Sequence, residues 1–212
     1  MSAERQFAKI VTHPFFTLVT TLGLALLYTY FLYNHITAIK QHNVTPIIAI
    51  FVAMESVVLV LLAIRQQPVA KHTNVRGWLF AFLGTFMPFA LFPFGAIVLH
   101  APLGDTLTVI GGLIAVGAYL SLNTSFGVSP SLRTVKTNGL YRVVRHPMYA
   151  AYFFLYGGYL LLVFSPYNAF ILCLLFVCLV MRIYYEEQIL STSVEYHAYK
   201  KTVPYRLFPF LY

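Results

Sequence analysis

Negative charge is nearly absent from this chain. Asp and Glu together number 6 in 212 residues, and charged residues of both signs make up 9% of it. With 59% hydrophobic residues, folding in water would leave large apolar patches exposed, which excludes a soluble globular domain. The solvent is lipid. Cysteine is scarce as well: Cys173 and Cys178, in one apolar run, are too few for a disulfide framework and lack the partner spacing of zinc ligands, so they read as packing thiols and no metal is expected. Also missing are a G-x-G-x-x-G loop after a strand, a Walker loop, H-E-x-x-H and G-x-S-x-G, which removes the common soluble cofactor folds. No short apolar stretch with a small-residue cleavage site opens the chain, and residues 209–212 hold no cysteine to prenylate, so the first apolar run is expected to be retained.

What the chain does have is a series of apolar runs. At about 20 residues per crossing helix, it has room for five to seven spans in one folded unit. Runs at 14–33 and 44–64 are long enough to cross, a third at 77–99 is interrupted around Pro88 and Pro93, and a fourth covers 106–122. The fourth carries Gly111, Gly112, Ala115 and Gly117, small residues that let a neighbouring backbone come close. After a polar stretch, runs at 148–164 and 169–181 flank Ser165-Pro166-Tyr167-Asn168, the pattern of a helical hairpin. The last helix should continue through Arg182, Glu186 and Glu187. The expected fold is an all-α integral membrane bundle of about six segments, with residues 1–122 a four-helix scaffold and 123–212 a more polar, motif-bearing region.

Net charge is +8, but the basic residues fall between apolar runs and form no nucleic-acid recognition module. They set topology instead. Every Lys and Arg except Lys40 falls on one side of a six-segment arrangement, which makes that side cytoplasmic, with both termini. The loop 123–147 and the tail after 181 share that side, where a water-soluble cofactor is available; the membrane is a bacterial inner membrane or the endoplasmic reticulum.

Three polar clusters lie there. In Asn138-Gly139-Leu140-Tyr141-Arg142-Val143-Val144-Arg145-His146-Pro147-Met148-Tyr149, Asn138-Gly139 marks a turn and Pro147 opens a helix. His146 then sits at a helix N-terminus, whose free N–H groups attract an anion; the alternative is that Arg142, Arg145 and His146 only meet lipid headgroups. In the second, Arg182 and Glu186 share a helical face, with Glu187 about 100° around. One salt bridge accounts for the first two; a pair of carboxylates also suits a ligand with hydroxyl or ammonium donors. The third, residues 195–206, is basic and aromatic, as expected of a segment lying in the interface. Glu55, mid-span, should face the bundle and pair with a hydroxyl or a base.

Taken in order, Thr137-Asn138-Gly139-Leu140-Tyr141, Arg145-His146-Pro147-Met148-Tyr149, Arg182-x-x-x-Glu186-Glu187 and Tyr196-x-x-Tyr199-Lys200-Lys201-x-Val203-Pro204 closely resemble the isoprenylcysteine carboxyl methyltransferases and their phospholipid-methylating relatives. The resemblance covers residues 123–212; the first 122 residues match only as membrane helices. It implies S-adenosylmethionine as cofactor at the cytoplasmic ends of the last helices. Arg133, Thr134, Val135 and Lys136 would line it with their backbone, Tyr141 would close over it, His146, Pro147, Met148 and Tyr149 would form a wall, and Glu186 would take a polar group. Arg182 would hold the methyl acceptor, with Glu187 and Tyr199 as further catalytic candidates. The implied reaction is O-methylation of the carboxylate of a prenylated cysteine or similar lipophilic acceptor. The loop 126–132 and the tail are shorter than in that family, and Ser193-Val194 stands where Phe-Gly is usual.

Three alternatives remain. A phospholipid amine or a small thiol would need a proton acceptor, for which Glu187, His146 or Tyr199 serves. Membrane sterol reductases resemble the same C-terminal arrangement with a nicotinamide cofactor, but usually carry more helices before it. A channel or binding protein would place its polar groups within the spans, where only Glu55 lies.

Overall fold

A computed structural model describes residues 3–41, 45–71, 73–92, 97–129 and 131–211. Among them are α1 (Ala3–Thr12), α2 (Pro14–Lys40), α3 (Pro46–Ile64), α4 (Val75–Phe86), α5 (Ala101–Leu122), α6 (Pro147–Leu162), α7 (Pro166–Leu190) and α8 (Val194–Thr202). The fold is all-α apart from an antiparallel pair of two-residue strands, β1 (Ala70–Lys71) and β2 (Ser131–Leu132), which nothing in the apolar pattern signals.

By length and composition α2, α3, α5 (with the 3-10 turn that follows it, to Ser125) and α7 are able to cross a membrane. The third and fifth expected spans are shorter. Helix α4 gives way at Phe86 to a 3-10 turn over Met87–Ala90, since Pro88 has no N–H to extend the ladder. Residues 97–100 instead run extended against 161–164, with Ile97 and Phe164 exchanging backbone hydrogen bonds of 2.8 and 2.9 Å. Pro93 and Val44, at the second expected break and the start of the second expected span, lie outside the described residues. Helix α6 has 16 residues, about 24 Å of helix against about 30 Å of hydrocarbon. Helix α7 has 25 residues and carries Arg182, Glu186 and Glu187 within it, as expected. Its start is capped by Ser165, which accepts from the Asn168 N–H at 3.1 Å. The Asn168 amide, fully buried, bonds both backbone groups of Phe92 and so staples the α6–α7 turn to the chain after α4.

The closest helix pair is not the expected hairpin of α6 with α7 but α5 with α6. Glycine is the cause. A Cβ on Gly111 would lie 2.5 Å from the Leu155 nitrogen, and one on Gly158 would lie 2.6 Å from both Gly104 O and Thr108 N, so the two backbones touch. Around this pair Ala115, Ala118, Ala151 and Leu155 are buried, joined by Leu172, Leu175, Leu179 and Ile183 from α7. Helix α2 packs chiefly on α3 and turns Leu18, Leu22, Leu26, Tyr30 and Tyr33 outward, a face suited to lipid.

The links between helices meet at one end. Gln66 N donates to Thr124 O at 2.7 Å, Arg133 Nε to Gln66 O at 3.1 Å, Lys71 Nζ to Val11 O at 2.9 Å, and Arg145 N to Tyr205 O at 2.9 Å. The basic loops, the first helix and the tail are thereby gathered together, while Lys40 ends α2 at the other extreme.

Gly158→Ala should lower the melting temperature in detergent by several degrees, since overpacking costs about 1–3 kcal/mol. Gly157→Ala, whose Cβ would meet nothing within 4 Å, should melt like wild type. Equal melting of the two would contradict the backbone contact.

Candidate active site

At this end the first turn of α6, the last turns of α7 and the tail converge on Glu187. Its carboxylate is buried and accepts from Arg145 Nε at 2.7 Å, Arg206 Nε at 3.0 Å and Tyr196 OH at 3.2 Å, with His146 Nε2 at 3.3 Å. Arg145 also donates to Val203 O and Pro204 O, and His146 N donates to Arg206 O at 2.8 Å. Residues 203–206 are thus stitched across the start of α6. Arg145 and Arg206, two of the groups facing Glu187, are cationic and the Arg145 pair is tight, so removing the carboxylate would strand buried charge.

Glu186, one residue earlier, points elsewhere because successive helical residues differ by about 100°. It accepts from Tyr149 OH at 2.6 Å. With Tyr149 it lines a polar cavity of about 80 Å³ whose other walls are Arg133, Thr134, Val135, Lys136, Tyr141, His146, Met148, Tyr196 and Tyr199. The loop carrying residues 133–136 is fixed from two sides: Thr134 O accepts from Ser125 Oγ at 3.0 Å, and Thr134 Oγ1 donates to Gln66 at 3.2 Å. Of the residues expected around a cofactor, Pro147 alone does not line this cavity; it is fully buried behind it at the start of α6.

The catalytic candidates separate. Tyr199 lines the cavity, but its hydroxyl donates to Tyr141 O at 2.6 Å, and burial pushes its pKa up, so it is a fixed donor at neutral pH and not a proton acceptor. Tyr141, Tyr196 and Tyr199 with Val203 form a small core that seats α8 on the loop. Glu187 sits behind the cavity with its carboxylate engaged as above. Arg182 and Glu186 are not bridged. Arg182 is buried, donates to Thr85 Oγ1 at 3.1 Å, to Ala81 O at 3.4 Å and to Val128 O, and holds its charge 5.4 Å from the Tyr149 ring centre.

Arg182 lines a second, larger cavity of about 390 Å³ inside the helices. Aromatic groups from α2, α5 and α6 line it, among them Tyr28, Phe31, Tyr119, Tyr152 and Tyr156, with Tyr119 and Tyr152 sharing a hydrogen bond of 2.8 Å. Glu55 faces the same space and pairs with His35 at 3.0 Å, the partnership expected for an acid in mid-span. The two cavities share Gly127 and Met148 in their walls.

A model of the phospholipid methyltransferase family matches residues 99–195. The match covers α5, α6 and α7, from the glycine-packed pair to the carboxylates. No curated protein matches the chain.

The donor set fits a sulfonium nucleotide: a carboxylate for hydroxyl or ammonium donors, tyrosine rings, and a short extended loop with backbone N–H and C=O groups. The enclosed volume is smaller than a nucleoside. The Arg133 guanidinium fills the space beside Gly127, where a Cβ would lie 2.6 Å from its Cζ, so a ligand of that size would have to displace that side chain.

Four residues were not assigned their places from the sequence: Arg206 and Tyr196 as partners of Glu187, and Tyr119 and Tyr152 in the inner cavity. The one available signal was a tyrosine hydroxyl inside an apolar run, which needs a partner when buried.

Glu187→Ala should destabilise the fold by roughly 3 kcal/mol and free the tail, read as faster tryptic cleavage at Lys200, Lys201 and Arg206. Unchanged cleavage would mean that the tail is held by something else.

Proposed function

We propose that the chain is an integral-membrane, S-adenosylmethionine-dependent methyltransferase that takes a lipophilic acceptor from the bilayer. One observation carries this reading: a polar cavity at the basic end and an apolar cavity among the helices meet at Met148 and Gly127. A water-soluble donor and a lipid acceptor are then separated by a single layer of side chains. The basic end is assigned to the cytoplasm by the excess of Lys and Arg there.

When bound, the cofactor supplies a methyl group on a positively charged sulfur. Glu186 would hold a hydroxyl or ammonium of it, the backbone of Arg133 to Lys136 would line it, and Tyr141 and His146 would bound it. Pro147 acts through the helix it starts, by fixing where His146 and Met148 stand. Arg182 would hold the acceptor. A guanidinium has five N–H donors, three of which go to Ala81 O, Thr85 Oγ1 and Val128 O, leaving donors for an acceptor carboxylate. The chain of a prenylated cysteine would occupy the apolar cavity. A carboxylate is ionised at neutral pH, so this in-line transfer needs alignment and exclusion of water and no base. Glu187 and Tyr199 then serve as positioning residues, Glu187 through Arg145 and His146, and Tyr199 through the Tyr141 carbonyl.

The family match favours a second reading, in which the acceptor is a phospholipid amine. That amine must lose a proton, and Glu186 and His146 are the groups on the cavity able to take it.

The test is methylation of a farnesylcysteine analogue with a radiolabelled methyl donor. Arg182→Gln should lower turnover at least a hundredfold, the loss of about one oriented charge-assisted contact in the transition state, while affinity for S-adenosylhomocysteine stays within twofold. Full turnover in Arg182→Gln would remove Arg182 from the acceptor site, and label appearing only in N-methylated phosphatidylethanolamine, when that lipid is supplied beside the analogue, would select the amine reading.

A further inference from the structure

A third opening, of about 580 Å³, runs between α2 and α4. Leu24, Leu27, Phe82 and Phe86 make it apolar, and at Gly23 a Cβ would meet nothing within 4 Å, which leaves a gap in its wall. At the basic end of the bundle the groove closes on Arg65, Lys71 and Arg133. Their partners are neutral: Arg65 donates to Thr21, Lys71 to Val11 O at 2.9 Å and Thr17 Oγ1 at 2.6 Å, and Arg133 to Gln66 O and Ser131. Among the described residues no carboxylate forms an ion pair with any of them. Burial and the nearby Arg65 lower the Arg133 pKa to about 10, while burial, Arg133 and Arg65 lower that of Lys71. Glu186 offsets Arg133 only from the side of the polar cavity. Three cations are therefore crowded at the mouth of an apolar groove with no counter-charge inside it, and an anion placed among them would relieve their repulsion.

We propose that this groove is a binding site for an anionic phospholipid, with the phosphate among Arg65, Lys71 and Arg133 and an acyl chain along α2 and α4 past Gly23. The chemistry of both ends selects the occupant. A free phosphate would satisfy the cations and leave the groove unfilled, and a zwitterionic lipid would bring its own positive charge to a place that already has three. The groove borders the polar cavity at Ser129 and Arg133 and the apolar one at Thr85 and Val128, and the proposal does not rest on the methyltransferase reading.

The test is native mass spectrometry of the full chain released from nanodiscs holding equal amounts of dioleoylphosphatidylglycerol and dioleoylphosphatidylcholine. Wild type should retain phosphatidylglycerol in preference. The double variant Arg65→Gln/Lys71→Gln should bind it about thirtyfold more weakly, at about 1 kcal/mol for each of the two basic residues lost, with phosphatidylcholine retention unchanged. Gly23→Phe, which points into open space and so should fold normally, should reduce retention of phosphatidylglycerol by filling the groove; it decides alone if the double variant does not fold. Equal retention of the two lipids, an unaltered preference in either folded variant, or displacement of the lipid by excess inorganic phosphate would each overturn the proposal.

Discussion

The arrangement at the basic end depends on one buried carboxylate. Arg145 and His146 stand just before α6, at a helix N-terminus that is itself positive, and Arg206 of the tail lies against the same spot. Without Glu187 the Arg145 and Arg206 guanidinium groups and the positive helix end would repel one another. With it, α7, the start of α6 and the tail share one position. Because the next residue back on the helix lies about 100° around, fixing Glu187 also fixes Glu186, which faces the cavity instead. Two adjacent acids in an acid-poor chain thus divide the work: one holds the walls together and the other lines the polar cavity.

The depth of the site is set elsewhere, by glycine. Contact between α5 and α6 at Gly104, Gly111 and Gly158 leaves no room for side chains between them. That contact fixes how far α6 slides along α5 and so where its first turn, with His146, Met148 and Tyr149, stands relative to the loop after α5. Met148 ends up between the polar and the apolar cavity, and Arg182, one helix away, is pinned by the carbonyl groups of Ala81 and Val128 on the lipid side of that boundary.

Much of this was legible in the sequence. Apolar runs located the helices because lipid demands continuous hydrophobicity, the distribution of Lys and Arg grouped the loops at one end, and the continuation of α7 past residue 181 followed from its short apolar part. The convergence of the His146 and Glu186 clusters came from a resemblance, since no local pattern measures the distance between residues forty apart. Local patterns failed where the answer was a partner choice. The four-residue spacing of Arg182 and Glu186 suggested a salt bridge, yet Arg182 found backbone carbonyls on α4 and the loop, and Glu186 found Tyr149. The small-residue stripe was visible on α5, but which helix it received was not, because glycine marks a close approach without naming the neighbour. Helix α4 ends at the interruption expected around Pro88, whose missing N–H stops the ladder.

The central claim is that the polar cavity bounded by His146, Tyr149 and Glu186 takes a sulfonium nucleotide. Isothermal calorimetry of the purified protein with S-adenosylhomocysteine tests it most directly. The account predicts one saturable site per chain, lost in Glu186→Ala; no heat with this ligand beside a clear signal with NADPH would contradict it and favour a reductase.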